Sequence, residues 1–156
     1  MGTNLFGEIV RRAEIESIHP ISYSVERGFP DAPEPRQDLA LDESSTCALS
    51  EDRRRLIVDY EFRLRSPTDL GEGSVFQARI VYRVTYGFDP ELTPEHERDL
   101  DLFAKHNARF NTWPMLREFL LRVTAEFDLP RLTLPLLKPY APAPTNDSGE
   151  GPRPEE

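Results

Sequence analysis

Two adjacent stretches of the chain alternate between apolar and polar residues, and this alternation limits the fold more than any other feature. In residues 53–65 one apolar face is formed by Leu56, Val58, Tyr60, Phe62 and Leu64. In residues 74–88 the corresponding face is formed by Phe76, Ala78, Ile80, Tyr82, Val84 and Tyr86. Because successive side chains of a strand point to opposite faces, each stretch predicts a strand with one buried face. Two glycines in the connecting residues 69–74 predict a hairpin turn.

Two weaker strand signals precede this hairpin. Residues 12–26 predict a strand that is interrupted at Pro20. Since proline cannot donate a hydrogen bond to the ladder, this strand should be bent or lie at an edge of the sheet. Residues 38–50, in which Leu39 and Leu41 alternate with other residues, predict a further strand. The proline-rich residues 28–37 predict a loop between the two.

After residue 90 the apolar spacing changes to three and four, which is typical of helices. Thr93 followed by Pro94 indicates a helix start, because threonine is a good cap and proline is tolerated in a first turn. A first helical stripe contains Leu100, Phe103, Ala104, Asn107 and Ala108, and a second contains Leu116, Phe119, Leu120, Val123 and Phe127. The sequence therefore predicts that helices follow the sheet.

A proline and the only tryptophan of the chain separate the two stripes. Pro114 inside one continuous helix would cost about 3 kcal/mol, whereas it costs little in the first turn of a new helix. The sequence therefore predicts a kink or a restart at residues 111–114, with Asn111 or Thr112 as the cap of the second segment. Trp113 would lie at this elbow and pack against the sheet or a neighbouring subunit.

The end of the chain divides into an apolar and a polar part. Leucines alternate at 132, 134 and 136, but three prolines exclude a central strand and favour an extended segment over the core. Residues 138–156 are rich in proline, glycine and acidic residues and predict a disordered tail, so that residues 1–137 form the domain. The order of elements predicts an α+β fold: about four mainly antiparallel strands, then a long kinked or broken helix.

Composition favours a binding function over catalysis. The formal net charge of −9 disfavours nucleic acid as a partner, and it suits either a basic partner or solubility alone. The single cysteine, Cys47, excludes an internal disulfide and favours a cytoplasmic location. The sequence has no metal-ligand spacing, phosphate-binding glycine loop or nucleophile elbow, so we expect no catalytic residue, metal or cofactor. We expect no membrane insertion either, because no apolar run is long enough.

Four segments together resemble the bacterial export chaperone family SecB. Residues 111–137, "NTWPMLREFLLRVTAEFDLPRLTLPLL", are similar to the end of the family's long helix and the Leu-x-Leu segment after it. "DLGEGSVF" resembles its hairpin, "ISYSVE" its first strand and "LALDES" its second strand. The similarity covers roughly residues 8 to 137. The chain departs from the family in its less acidic first strand and in lacking the lid helix near its end.

This resemblance implies an ATP-independent chaperone, a holdase without cofactor, that forms a dimer of dimers. It would bind unfolded preproteins in apolar grooves and pass them to the translocase motor ATPase for export. Some relatives instead protect an aggregation-prone antitoxin of a toxin–antitoxin system, so that the antitoxin is a second possible client. The alternatives from other classes are a small-ligand-binding or enzyme domain with a closed polar pocket, and an oligomeric scaffold without clients.

The resemblance also implies three sets of site residues, each with a structural alternative. The client-binding residues would be Leu39, Leu41, Tyr23, Phe29 and Tyr82, which could instead be strand or core residues. The contact with the motor ATPase would involve Leu70 and Glu72, which could instead be a solvated hairpin turn. The oligomer interface would involve Trp113, Phe119 and Leu120, which could instead belong to the core.

Overall fold

A four-stranded antiparallel sheet carries one long helical segment on one face. The computed structural model describes residues 4–28, 39–67, 74–129, 132 and 134–137. In chain order the elements are α1 (Leu5–Arg12), β1 (Glu14–Arg27), β2 (Ala40–Leu49), β3 (Arg55–Pro67), β4 (Ser74–Gly87), a 3₁₀ turn (Pro94–His96), α2 (Glu97–Phe103), a π-helical turn (Ala104–Ala108) and α3 (Arg109–Glu126). The strand order is β1-β4-β3-β2, and all neighbours are antiparallel. The predicted α+β class, with about four antiparallel strands followed by a long helical segment, is confirmed.

The predicted alternation of β3 and β4 places all their apolar face residues in the core. None of these eleven side chains is more than 5% exposed, and the helices cover them. The opposite face carries cross-strand ion pairs: Arg83 binds Asp59 with two contacts of 2.7 Å, and Arg79 binds Glu61 at 2.5 Å. Each fully buried apolar side chain contributes roughly 1.5–3 kcal/mol, so this face determines how the helices pack.

Strand β1 is both bent and at an edge, as Pro20 predicts. It is the first strand in the sheet order, and its pairing with β4 shifts between Ile15 and Ser17 and again between Pro20 and Ser22. Each shift leaves one β1 residue without an opposite partner, which is the definition of a bulge. Pro20 lies beside the second bulge, where the loss of a ladder hydrogen bond costs little.

The helix start at Thr93 is confirmed, but the predicted restart at 111–114 is wrong. Asn111 and Thr112 lie inside α3 and do not cap a helix; the Thr112 hydroxyl donates to the carbonyl oxygen of Ala108 at 2.7 Å. Pro114 is also inside α3, on its exposed side, where water can satisfy the carbonyl group that the missing N–H leaves free. The break in α-helical hydrogen bonding comes earlier, at Ala104–Ala108.

The spacing of buried residues explains why a wider turn suits this helical segment. Buried residues recur in steps of four at Ala104, Ala108, Thr112, Leu116, Leu120 and Thr124. A step of four exceeds one α-helical turn by roughly 40°, so such a stripe drifts away from the sheet in a regular helix. One wider turn absorbs part of the drift and keeps the stripe on the sheet.

Helix α1 was not predicted from the sequence. The Asn4 side chain accepts a hydrogen bond from the Gly7 N–H at 2.9 Å and so caps the helix, and Ile9 is completely buried. At the other end, the Arg12 guanidinium donates to the carbonyl oxygens of Pro90 and Glu91, the latter at 3.1 Å. These contacts hold α1 against α2 and the residues that precede it.

The segment after α3 adds apolar side chains to the core without joining the sheet. Leu132 and Leu134 are buried, Leu136 is exposed, and no strand is assigned to the described residues of this segment. The Trp113 indole N–H donates to the Pro135 carbonyl oxygen at 2.8 Å and ties the segment to α3. The predicted tail at 138–156 lies outside the described residues, as do nearly all of the predicted loop at 28–37 and hairpin turn at 69–74.

Candidate functional site

Exposed apolar side chains concentrate along one side of the molecule. Of the eight large hydrophobic side chains that are exposed in the described residues, five belong to α1, to β1 or to the start of α3: Val10, Ile15, Ile21, Tyr23 and Phe110. Tyr23 is 65% exposed. Isolated exposed apolar residues are common, but Val10, Ile15 and Phe110 line one cavity together and Tyr23 lines two others, which indicates interaction surfaces.

A groove runs between β1 and α3 on this side, and we call it the β1 groove. Two adjoining cavities of about 140 and 580 Å³ form it and share Tyr23, Phe119 and Arg122. Its other apolar walls are Pro20, Val25, Ile80, Tyr82, Met115, Val123 and Phe127. The strand supplies one wall because the helix-facing residues of β1 pair with core residues of β4: Tyr23 lies opposite Ile80.

Contacts across the β1 groove are aromatic in the middle and charged at the rim. The rings of Tyr23 and Phe119 meet edge to face with centroids 6.0 Å apart, and the Arg122 guanidinium lies 5.9 Å from the Phe119 ring. Glu118 also lines the groove. Burial raises the pKa of Tyr82 to about 12, so its phenol stays protonated. The groove can therefore bind apolar groups, with charged residues beside them.

The backbone of β1 adds a second means of binding. Because β1 ends the sheet, its outward N–H and C=O groups have no partner strand among the described residues. An exposed strand edge can accept an extended polypeptide, whose backbone pairs with the edge while alternate side chains enter the groove. The bulges at Ile15/Ser17 and Pro20/Ser22 interrupt that edge and limit how far a regular ladder can extend.

The opposite edge of the sheet is joined to the helical segment by polar contacts. A concave surface of about 400 Å³ beside β2 is lined by residues that include Leu41, Tyr60 and His106. Glu43 accepts hydrogen bonds from Arg109 at 2.6 Å and from the Tyr60 hydroxyl at 3.3 Å. Burial and the neighbouring cations lower the pKa of His106. These polar contacts are made within the chain and join this edge of the sheet to the helical segment.

The predicted client-binding residues do not meet in one groove of a single chain. Tyr23 and Tyr82 line the β1 groove, although Tyr82 is only 2% exposed. Leu39 and Leu41 are half-buried at the β2 edge, three strand spacings away, or roughly 14 Å. Phe29, Leu70 and Glu72 lie outside the described residues.

The predicted interface residues pack inside the single chain. Trp113, Phe119 and Leu120 are 5%, 3% and 0% exposed. Trp113 meets the Phe62 ring at 6.1 Å, and the Arg109 guanidinium lies 5.0 Å from the indole. The structure thus places all three in the core of the single chain, which was the alternative for this set, and Phe119 also borders the β1 groove.

Sequence reasoning missed the residues at the other end of β1. Ile15 and Phe110 are 49% and 42% exposed, and with Val10 they border a cavity of about 500 Å³ beneath α1, which we call the α1 cavity. The available signal was that Phe110 falls outside both predicted helical stripes, which leaves a large aromatic side chain without a place in the core.

The described residues contain no arrangement suited to metal binding. No group of three or more histidine, cysteine or acidic side chains is close enough to hold a metal ion in that part of the chain. Burial, followed by the nearby Asp101, raises the pKa of Cys47 to about 11, which keeps the thiol protonated. None of the helices in the described residues has the length and apolar character needed to cross a membrane.

The fold is similar to that of a known chaperone. The SecB-like chaperone Rv1957 of Mycobacterium tuberculosis, solved in complex with a ChAD peptide from the Rv1956 HigA1 antitoxin, has a TM-score of 0.68 and 23% identity over 89% of this chain and 100% of that chain. A protein of unknown function from Streptococcus agalactiae has a TM-score of 0.46 and 11% identity over 79% and 98% of the two chains. No family model and no curated protein matches the sequence. The chain therefore has a SecB-like fold.

Proposed function

We propose that this chain is a molecular chaperone that binds extended, unfolded polypeptide without nucleotide. The observation that carries the proposal is the β1 groove, in which an apolar trough and an unpaired strand edge lie side by side. An unfolded segment presents both kinds of partner at once, namely apolar side chains and free backbone hydrogen-bonding groups. Recognition through these two features needs no particular sequence, as a holdase requires.

The structural neighbour supports an antitoxin as the client class. That protein was solved with a peptide from an antitoxin bound to it, so a SecB-like fold can hold a segment of such a partner. We therefore propose an aggregation-prone antitoxin as the preferred client. Preproteins destined for export are the alternative, and a contact with the translocase motor ATPase through Leu70 and Glu72 belongs to that alternative.

We further propose that the chain works as a homo-oligomer, as a dimer of dimers, in the cytoplasm. Each copy supplies one β1 groove, and several weak sites on one assembly gain affinity through effective concentration. The proposed client residues are Tyr23 and Tyr82 at the β1 edge and Leu39, Leu41 and Phe29 toward the β2 edge. Grooves of different copies would have to join for one client to meet both sets.

A scattering assay tests the function. A chemically denatured client is diluted into buffer with and without the chain, and aggregation is followed by light scattering. We expect the chain in excess to suppress scattering without ATP, and Tyr23→Ser to lose most of this effect because it removes the most exposed part of the groove. Ile57→Ser is the matched control, since Ile57 is 38% exposed on the opposite face of the sheet. Unchanged scattering with excess wild-type chain would overturn the proposal.

Native mass spectrometry tests how the β1 edge is used. We expect an oligomer whose stoichiometry is the same for wild type and Tyr23→Ser, with client binding reduced in the variant. If Tyr23→Ser instead dissociates the oligomer, a second copy occupies the β1 groove, and the client site has to lie elsewhere.

A further inference from the structure

The α1 cavity combines an apolar part with a polar wall. Three elements supply the apolar side chains, namely Phe6 and Val10 of α1, Ile15 of β1, and Phe103 and Phe110 of the helical segment. The polar wall contains three asparagines, a tyrosine and a histidine: Asn4, Asn107, Asn111, Tyr86 and His106. The volume of about 500 Å³ is within the range of roughly 300–1,000 Å³ in which proteins bind small molecules. The cavity is accessible, because Val10, Ile15 and Phe110 at its rim are 40–49% exposed.

The polar wall of the α1 cavity contains no carboxylate among the described residues, although the chain has a formal net charge of −9. The Asn4 side chain accepts from the Gly7 N–H through Oδ1 at 2.9 Å, so its NH₂ group remains to donate. The Asn111 NH₂ group donates to the Tyr86 hydroxyl at 2.8 Å, which uses one of its two N–H bonds. The wall therefore suits a ligand that brings oxygen acceptors.

His106 adds positive charge to this wall when its ring is protonated. It lies in the π-helical turn and lines both the α1 cavity and the concave surface beside β2. Burial lowers the pKa of His106, and the positive charges of Lys105 and Arg109 lower it further. The ionisable groups that line the same two cavities from the strands are Asp42, Glu43, Tyr60 and Tyr86. Because Glu43 is bound to Arg109 at 2.6 Å, the two cations outweigh the acids at the imidazole.

We propose that the α1 cavity binds a small molecule that carries a carboxylate on an aromatic or large aliphatic body. The body lies against Phe103 and Phe110, and the carboxylate lies beside His106, where it accepts hydrogen bonds from the asparagine side chains. A neutral apolar molecule gains less from this wall, and a cation is repelled by Lys105 and Arg109. The net charge of the chain opposes an anion only weakly, because salt screens distant charges over about 8 Å. This site goes beyond the proposed chaperone function and needs no client.

Binding of such a ligand is linked to protonation of His106. A carboxylate beside the ring favours the imidazolium form, so the bound ligand raises the pKa of His106. By the same linkage, the ligand binds more tightly as the pH falls and His106 takes up a proton. An apolar cavity without a role for His106 would show neither effect.

Three probe molecules test the ligand class. The first is 3-phenylpropanoate, the second is 3-phenylpropanamide, which has the same shape without the charge, and the third is propanoate, which lacks the ring. Each is titrated into the full, methyl-labelled chain at pH 6, and affinity is measured from the NMR signals of Val10 and Ile15, with Ile57 on the opposite face of the sheet as the reference. We expect 3-phenylpropanoate to bind about fivefold more tightly than the amide and about tenfold more tightly than propanoate. Equal affinities for 3-phenylpropanoate and its amide, or shifts no larger than that of Ile57, would overturn the proposal.

A pH series tests the role of His106. Ordinary carboxylic acids have a pKa of about 4, so 3-phenylpropanoate stays largely ionised between pH 7.5 and pH 5.5. Over this range we expect its affinity to rise about threefold, and we expect it, but not the amide, to raise the pKa of His106 measured by NMR. His106→Gln should remove the pH dependence and leave the affinity for the amide unchanged, whereas Ile57→Ser should behave like wild type.

The pKa measurement on the wild-type chain needs no substitution, so it decides the case even if His106→Gln does not fold. A pKa of His106 that 3-phenylpropanoate leaves unchanged would overturn the proposal, as would a pH dependence of binding that survives His106→Gln. Aggregation assays with a denatured client are independent of these titrations, so the ligand site and the chaperone proposal stand or fall separately.

Discussion

The two edges of the sheet face the same helical segment, but they contact it in different ways. At the β2 edge, Glu43 binds Arg109 at 2.6 Å, and the Cys47 thiol donates to Asp101 at 3.3 Å. In the middle of the β1 edge, the contact is the ring pair of Tyr23 and Phe119, and Tyr23 remains largely exposed. Both edge strands leave their outward backbone groups without a partner strand in the described part of the chain, but directed polar contacts join β2 to the helix, whereas an exposed aromatic side chain lines the β1 side. The comparison teaches that a partner is expected at β1.

The largest expected effect concerns whether the helix stripe beside the β1 groove is core or subunit interface. Leu120→Ala should lower the free energy of unfolding by about 2–5 kcal/mol, because Leu120 is 0% exposed and its loss leaves a cavity. Urea unfolding measures this change. Leu121→Ala, at the more exposed neighbouring position, serves as the control and should lower the free energy of unfolding by less. If Leu120→Ala instead lost little stability but dissociated the oligomer, Leu120 would belong to a subunit interface. The difference in packing between the β1 and β2 edges would then be smaller.

The second effect tests the two edges against each other. Tyr23→Asp should weaken binding of an unfolded client about tenfold, because it replaces the exposed aromatic wall of the β1 groove with a charge. Leu41→Asp, at the polar β2 edge, should change affinity less than twofold. Anisotropy with a labelled, permanently unfolded client measures both, and circular dichroism checks that both variants are folded. A larger loss from Leu41→Asp would move the client site to β2 and reverse the comparison.

The sheet was predictable from sequence because its signals are local and strong. The alternation in β3 and β4 survives in the structure residue by residue, and Pro20 alone indicates the bent edge strand. In these cases the spacing of apolar residues, or a single proline, directly determines the local backbone conformation. The strand order and the face of the sheet that the helices cover were not predicted, because periodicity does not supply them.

The missed features depend on tertiary context. Helix α1 has only eight residues, too short to be stable without Ile9 in the core and Arg12 on the carbonyls of Pro90 and Glu91. The rule that proline is costly inside a helix is sound, but it does not locate the irregular turn of this helix. The π-helical turn lies before Pro114, because packing on the sheet decides which face of the helix is buried. The β1 groove depends on how far α3 lies from the edge strand, and no local pattern encodes that distance.

The smallest effect is a pH dependence at the β2 edge. Burial, followed by the charges of Lys105 and Arg109, lowers the pKa of His106, so the folded chain disfavours its protonated form. The unfolded chain therefore binds the proton first as the pH falls below about 6.5, the ordinary histidine pKa. This contribution to stability is complete above that pH and is lost progressively on acidification, until the folded-state pKa is passed. Urea unfolding at pH 7.5 and pH 5.5 measures it.

The control for this pH effect is the variant that cannot titrate. His106→Gln should lose less stability than wild type between the two pH values, whereas Ile57→Ser, which changes no titratable group on the exposed face of the sheet, should lose as much as wild type. A pH dependence that is equal in wild type and His106→Gln would show that the polar β2 surface does not constrain protonation. The β2 edge would then be as accessible to water as the β1 edge, and the difference between the edges would be one of apolar content alone.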